Sequence, residues 1–145
     1  MNWKREEQLR AVYETINGIN ALYGTMARRF GLNYNSLMMF NLLEDGNPYT
    51  QQDVCHILQL PKSTVHSILK DFMKKEYVFL DAGANKKEKV IQLTDSGQAY
   101  VREVVGVMRR AEIKALDSLG EAGCEQLVRV NEAFYEALKK EVNDE

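Results

Sequence analysis

Apolar residues recur along the chain at two kinds of spacing, and the changes of period lay out an order of elements. Over the first thirty residues Ala11, Ile16, Ile19, Leu22, Tyr23 and Met26 fall at near-helical intervals, with charge at Lys4, Arg5, Glu6, Glu7, Arg10 and Glu14 before and among them. This predicts one long helix. In "GLNYNSLMMFNLLEDG", Asn33 or Asn35 caps a shorter helix that carries Leu37, Met38, Phe40, Leu42 and Leu43, and Gly46 with Pro48 ends it. Thr50 then caps a third helix with Val54, Ile57 and Leu58 inward, and "LPKS" closes a tight turn into a fourth. There Val65, Ile68, Leu69 and Phe72 repeat at i, i+3, i+4, i+7, the apolar stripe of an amphipathic helix. Two helices so joined predict a helix-turn-helix.

The period then shortens. "YVFLDAGANKKEKVIQL" holds two β-rich runs, Tyr77 to Leu80 and Val90 to Leu93, around Gly83, Ala84, Asn85 and three lysines, which predicts a hairpin with a basic tip. Thr94 in "LTDSG" caps a long helix in which Val101, Val104, Met108, Ala111 and Ala115 form a seam. Gly120 and Gly123 interrupt it, and a last helix carries Leu127, Val130, Phe134 and Leu138 on one stripe. The expected fold is mainly α with a small β-hairpin: a winged helix-turn-helix over about 34–94 within one domain, 1–145, flanked by N- and C-terminal dimerisation helices over about 3–30 and 95–142. Those outer helices have more apolar stripe than a small winged unit can cover, so a second copy joined through a two-fold interface is the expected partner.

Composition narrows the class. At 145 residues, 45% apolar and 28% charged, the chain is long enough to bury a core without staples. No apolar run approaches a membrane span and "MNWKREEQLR" lacks the core of a signal peptide, so a cytoplasmic protein without membrane contact is expected. Cys55 and Cys124 lack a CxxC spacing and read as reduced thiols. Cys55, His56 and His66 do not make a metal site, because adjacent helical residues diverge by about 100° and a fourth ligand is wanting. Neither a Gly-rich phosphate loop nor GxSxG nor HExxH occurs, so neither an enzyme nor a cofactor is expected.

The net charge of −2 hides an uneven distribution. Pro61 to Val90 has seven lysines against four acids, whereas Ile91 to Glu145 has seven basic residues against eleven acidic. On the fourth helix Ser63, His66, Lys70 and Lys74 fall on one outward stripe, with Lys62, Thr64 and Ser67 beside its first turns and Lys75 at its end. Short hydroxyls and an imidazole can meet base edges where lysines meet phosphates, which points to double-stranded DNA. Lys86, Lys87 and Lys89 on the hairpin add a wing contact at or beside a minor groove.

With these elements in order, the chain resembles the MarR family of transcriptional regulators over essentially its whole length. "TQQDVCHILQLPKSTVHSILKDFMKKEYV" is similar to the family's Thr-Gln-x-x-Leu-Ala, Ser-Thr-Val-Thr and Leu-x-x-Lys-Gly-Leu-Val run, and "LTDSG" to its Leu-Thr-x-x-Gly. The resemblance implies a homodimeric, sequence-specific DNA-binding regulator, commonly a repressor on a pseudo-palindromic operator, often released by a small molecule. It also implies a ligand pocket between the dimer helices and the winged part, for which Tyr13, Tyr23, Met26, Met38, Met39 and Phe40 are candidates. The wing departs from the family: Asn85, Lys86 and Lys87 stand where an Asp-x-Arg or Asp-Arg-Arg pattern is usual, so arginine's fork-shaped contact is missing. Glu76 occupies the place of a common glycine, and His66 with Ser67 replaces a usual Thr-Arg pair. The alternative reading is a degenerate winged-helix module that binds a protein and has lost specific DNA binding.

Overall fold

A computed structural model of the chain describes residues 2–82 and 88–144. Its elements run α1 (Trp3–Arg28), α2 (Tyr34–Leu43), β1 (Tyr49–Thr50), α3 (Gln51–Leu58), α4 (Lys62–Lys74), β2 (Val78–Asp81), β3 (Val90–Leu93) and α5 (Asp95–Asn143). They fall in two compact units, Met1–Gly106 and Val107–Glu145.

In the first unit, short polar side chains start the helices by accepting backbone N–H groups that have no partner within the helix. Asn2 takes that of Arg5, Asn33 rather than Asn35 takes that of Ser36, and Thr50 takes that of Asp53. Asp53 returns the bond by accepting the Thr50 N–H at 2.9 Å, a complete capping box. Gln59 closes α3 in the left-handed conformation at φ 53, so the turn into α4 is Gln59, Leu60 and Pro61, one residue earlier than the sequence places it.

The three strands of the described residues are antiparallel in the order β1, β3, β2, with Tyr49 opposite Ile91 and Val78 opposite Leu93. Compared with the expected hairpin, β2 starts one residue later and includes Asp81. β1 has no counterpart in the sequence pattern, since two residues are too few to show a period. One inward assignment is corrected: Ile57 is 49% exposed. The buried arc of α3 is Val54 with Cys55 and Leu58 half-buried, and Ile57 lies about 100° from its middle.

Four aromatic rings tie the elements of this unit together. Phe40 of α2 stacks on Phe72 of α4 with centroids 3.9 Å apart, and Tyr77 stacks on Tyr100 of α5 at 4.5 Å. Phe40 meets both tyrosines edge-on, an arrangement that adds to the area burial already worth about 1.5–3 kcal/mol for such a side chain. The Tyr100 hydroxyl donates to the Phe30 carbonyl at 3.1 Å, which ties the chain leaving α1 to the same cluster.

The junction into α5 is equally specific. The Thr94 hydroxyl donates to the Glu76 carbonyl at 2.6 Å and accepts the Gly97 N–H at 3.0 Å, while Ser96 donates to the same carbonyl at 3.1 Å. A Cβ at Gly97 would lie 1.9 Å from the Tyr77 carbonyl oxygen, so only glycine fits there. Glu76 holds a φ of 60.

The second unit consists of the later part of α5, interrupted where Gly120 takes φ 70 and ψ 173, a conformation open essentially to glycine alone. Two helical segments result, up to 119 and from 121. The Cys124 thiol donates to the Leu116 carbonyl at 3.3 Å across this break. Among the described residues of the unit only Met108 is buried; Ala111 and Ala115 of the expected seam are exposed. The stripe Leu127, Val130, Phe134 and Leu138 is exposed as well. Among the described residues, no helix is long and apolar enough to cross a membrane.

Candidate nucleic-acid interface

The orientation of α4 follows from its apolar face. Val65, Ile68, Leu69 and Phe72 are all buried, which fixes the helix about its own axis. Lys62, Ser63, His66, Ser67, Lys70 and Lys74 are in consequence exposed, and Thr64 is half-buried beside them. The outward stripe that the sequence predicts is therefore a continuous polar surface along the helix. Pro61 sits at its N-cap with extended backbone and gives no side-chain cap.

Two features modify the charge of this surface. Lys75, at the C-terminal end, is held by Asp71 one turn back at 3.0 Å, an exposed pair of the kind worth about 0–1 kcal/mol. Near the N-terminal end of α4, Lys62 lines a shallow notch of about 350 Å³ with Thr50, Gln51 and Gln52 of the α3 start and Glu88 and Lys89 before β3. The notch brings the helix-turn-helix and the base of the hairpin to one place. Lys89 is thus adjacent to α4, while Lys86 and Lys87, with Asn85, lie outside the described residues.

Gln51, Gln52 and Glu88 were not singled out by the sequence pattern. Their signal was weak but present: polar residues in the first turn of the helix preceding α4, and an acid inside a lysine run.

The ligand candidates do not share one environment. Tyr13 is 57% exposed on α1, Tyr23 is half-buried with its ring edge-on to Tyr34 at 6.4 Å, and Met26 and Met38 are half-buried. Phe40 and Met39 are wholly enclosed, Phe40 against Phe72, and belong to the core. A cavity of about 260 Å³ lies elsewhere in the unit, lined among others by Glu44, Asn47, Gln92, Gln98 and Arg102 over an apolar floor of Leu43, Ile91 and Val101. Among the described residues, no three His, Cys, Asp or Glu side chains come together as ligands for a metal.

A helix-turn-helix whose second helix leads into a β-hairpin, with long helices before and after, is a winged helix-turn-helix of the kind found in DNA-binding regulators. The solved structures to which the chain is similar belong to one family. A MarR family regulator from Neisseria meningitidis matches with a TM-score of 0.82 at 22% identity, covering 94% of this chain and 97% of that one. The MepR–DNA complex of Staphylococcus aureus matches at 0.73 and 20% identity, over 88% of this chain and 96% of that one. Staphylococcus aureus MarR in complex with salicylate and kanamycin matches at 0.75 and 16% identity, over 97% and 95%. No protein-family model and no curated protein matches the sequence. The chain has the fold of the MarR-family regulators.

Proposed function

We propose that the protein is a homodimeric, sequence-specific DNA-binding regulator of the MarR type, without catalytic activity, acting in the cytoplasm. The observation that carries this reading is the polar face of α4: Ser63, His66, Ser67, Lys70 and Lys74 are exposed on a helix whose other face is locked by Val65, Ile68, Leu69 and Phe72. Ser63, Thr64, His66 and Ser67 read base edges in a major groove. Lys62, Lys70, Lys74 and Lys75 hold phosphates, Lys75 leaving Asp71 at little cost, and Lys86, Lys87 and Lys89 add a wing contact.

The second copy is supported by apolar side chains left open on α1 and after Gly106, among them Ile16, Ile19 and Leu22 and the Leu127, Val130, Phe134 and Leu138 stripe. Two copies related by a two-fold axis present two α4 helices to a pseudo-palindromic site with half-sites about one helical turn apart. The neighbour solved with DNA supports the partner, and the neighbour solved with salicylate and kanamycin supports release by a small molecule. A ligand of that kind acts only if it binds better to a dimer geometry unfit for DNA.

The test is binding of the purified protein to random-sequence duplex at several salt concentrations, with sequencing of the retained fraction. A two-fold motif and a steep fall of affinity with salt are expected. Weak binding without a motif, even at low salt, would remove the reading.

A further inference from the structure

The notch at the base of the hairpin holds a residue of the wrong sign for a phosphate contact. Lys62 of α4 and Lys89 before β3 reach it from separate elements, Gln51 and Gln52 bring amide donors, and Glu88 lies among them. All of these but Gln51, which is half-buried, are exposed. A backbone phosphate oxygen is an acceptor only, so ammonium, amide and hydroxyl groups can each meet it, whereas an ionised carboxylate offers no donor and repels it. A shallow, open notch with two cations from different elements suits one phosphate of a duplex, which lies on a surface and is not swallowed by a pocket. Asp71 acts in the same sense at the other end of the helix by holding Lys75 at 3.0 Å.

We infer that Glu88 is an attenuator of DNA binding: it lowers the positive charge of a phosphate seat built from Lys62 and Lys89, and so limits affinity for every sequence alike. The inference rests on the DNA-binding reading of α4 and deepens it. Its effect is on the electrostatic, sequence-independent part of binding, the part that a regulator must keep small if its operator is to compete with the rest of a genome.

The experiment compares the full chain with Glu88→Gln, and with Glu141→Gln on the last helix as a control of equal charge change. Binding to random-sequence duplex and to the enriched operator is measured across a salt series. Glu88→Gln is expected to tighten both by about threefold to tenfold at low salt, a gain that shrinks as salt rises. The slope of log affinity against log salt steepens by up to about 0.9, while Glu141→Gln changes neither quantity. Unchanged or weaker binding by Glu88→Gln, with a wild type that binds DNA, overturns the inference alone. A changed preference at one base pair with unchanged affinity for random duplex also overturns it, since Glu88 would then be a base reader accepting from cytosine. A wild type that binds no duplex at any salt overturns the DNA-binding reading and this inference with it.

Discussion

Phe72 and Phe134 are the same side chain on helices of opposite circumstance. Phe72 is 0% exposed and stacked on Phe40 in the first unit, whereas Phe134 is 48% exposed in the second. The first unit encloses Phe40 and Phe72 with its own helices and hairpin. The later helix, like α1, presents its apolar stripe outward, and an isolated copy would leave that surface in water at a cost of about 25 cal/mol for each Å². The winged part covers its own apolar side chains, whereas α1 and the later helix leave theirs open, as the proposed second copy requires.

The sharpest way to break that contrast is to truncate both phenylalanines. Phe72→Ala should cost about 3–5 kcal/mol by denaturant titration and lower Tm at every protein concentration. Phe134→Ala should instead make Tm depend more steeply on protein concentration and shift sedimentation toward a monomer. Equal, concentration-independent losses from both would show that the later helix is an ordinary core element. Gly97→Ala comes next, at about 1–3 kcal/mol or more, because its new methyl must displace the Tyr77 carbonyl; urea unfolding reads the loss.

Glu76→Gly tests the same junction with the opposite sign. Glu76 holds a φ of 60, so glycine removes a steric penalty, and a gain of up to about 1 kcal/mol is expected after its own entropy cost. The smallest effect is one of pH. Burial, and after it the neighbouring Tyr77, raises the Tyr100 hydroxyl above its ordinary pKa. A raised acid pKa means that the unfolded chain loses its proton first. This contribution is therefore present at neutral pH and declines as pH climbs through about 10 toward the higher folded value. Tyr100→Phe should flatten that alkaline decline in Tm; an unchanged profile would locate it elsewhere.

What the sequence revealed and what it concealed divide by the range of the interaction. Thr50 and Asn33 are legible as caps because their bonds reach only three residues along the chain. Val65, Ile68, Leu69 and Phe72 are legible because periodicity alone assigns a helix face. Ile57 misled because α3 is too short for its apolar residues to define the centre of the buried arc. The need for glycine at position 97 depends on a carbonyl twenty residues upstream, and β1 depends on a partner strand some forty residues away; no local pattern carries either. For the interface, the stripe on α4 could be read in advance. The meeting of Lys62 with Glu88 and Lys89 could not, since it is made by the fold bringing the α3 start, the α4 start and the hairpin base to one notch.

The Thr94 hydroxyl, bonded at once to the carbonyl of Glu76 and the N–H of Gly97, makes a mechanical linkage. Glu76, in the turn after α4, and the first turn of α5 share one clamp, with the Tyr77–Tyr100 stack as a second point of attachment. Two attachments resist rotation where one would act as a pivot. The first turn of α5 and the residues between α4 and β2 are therefore fastened to each other at two points and not at one.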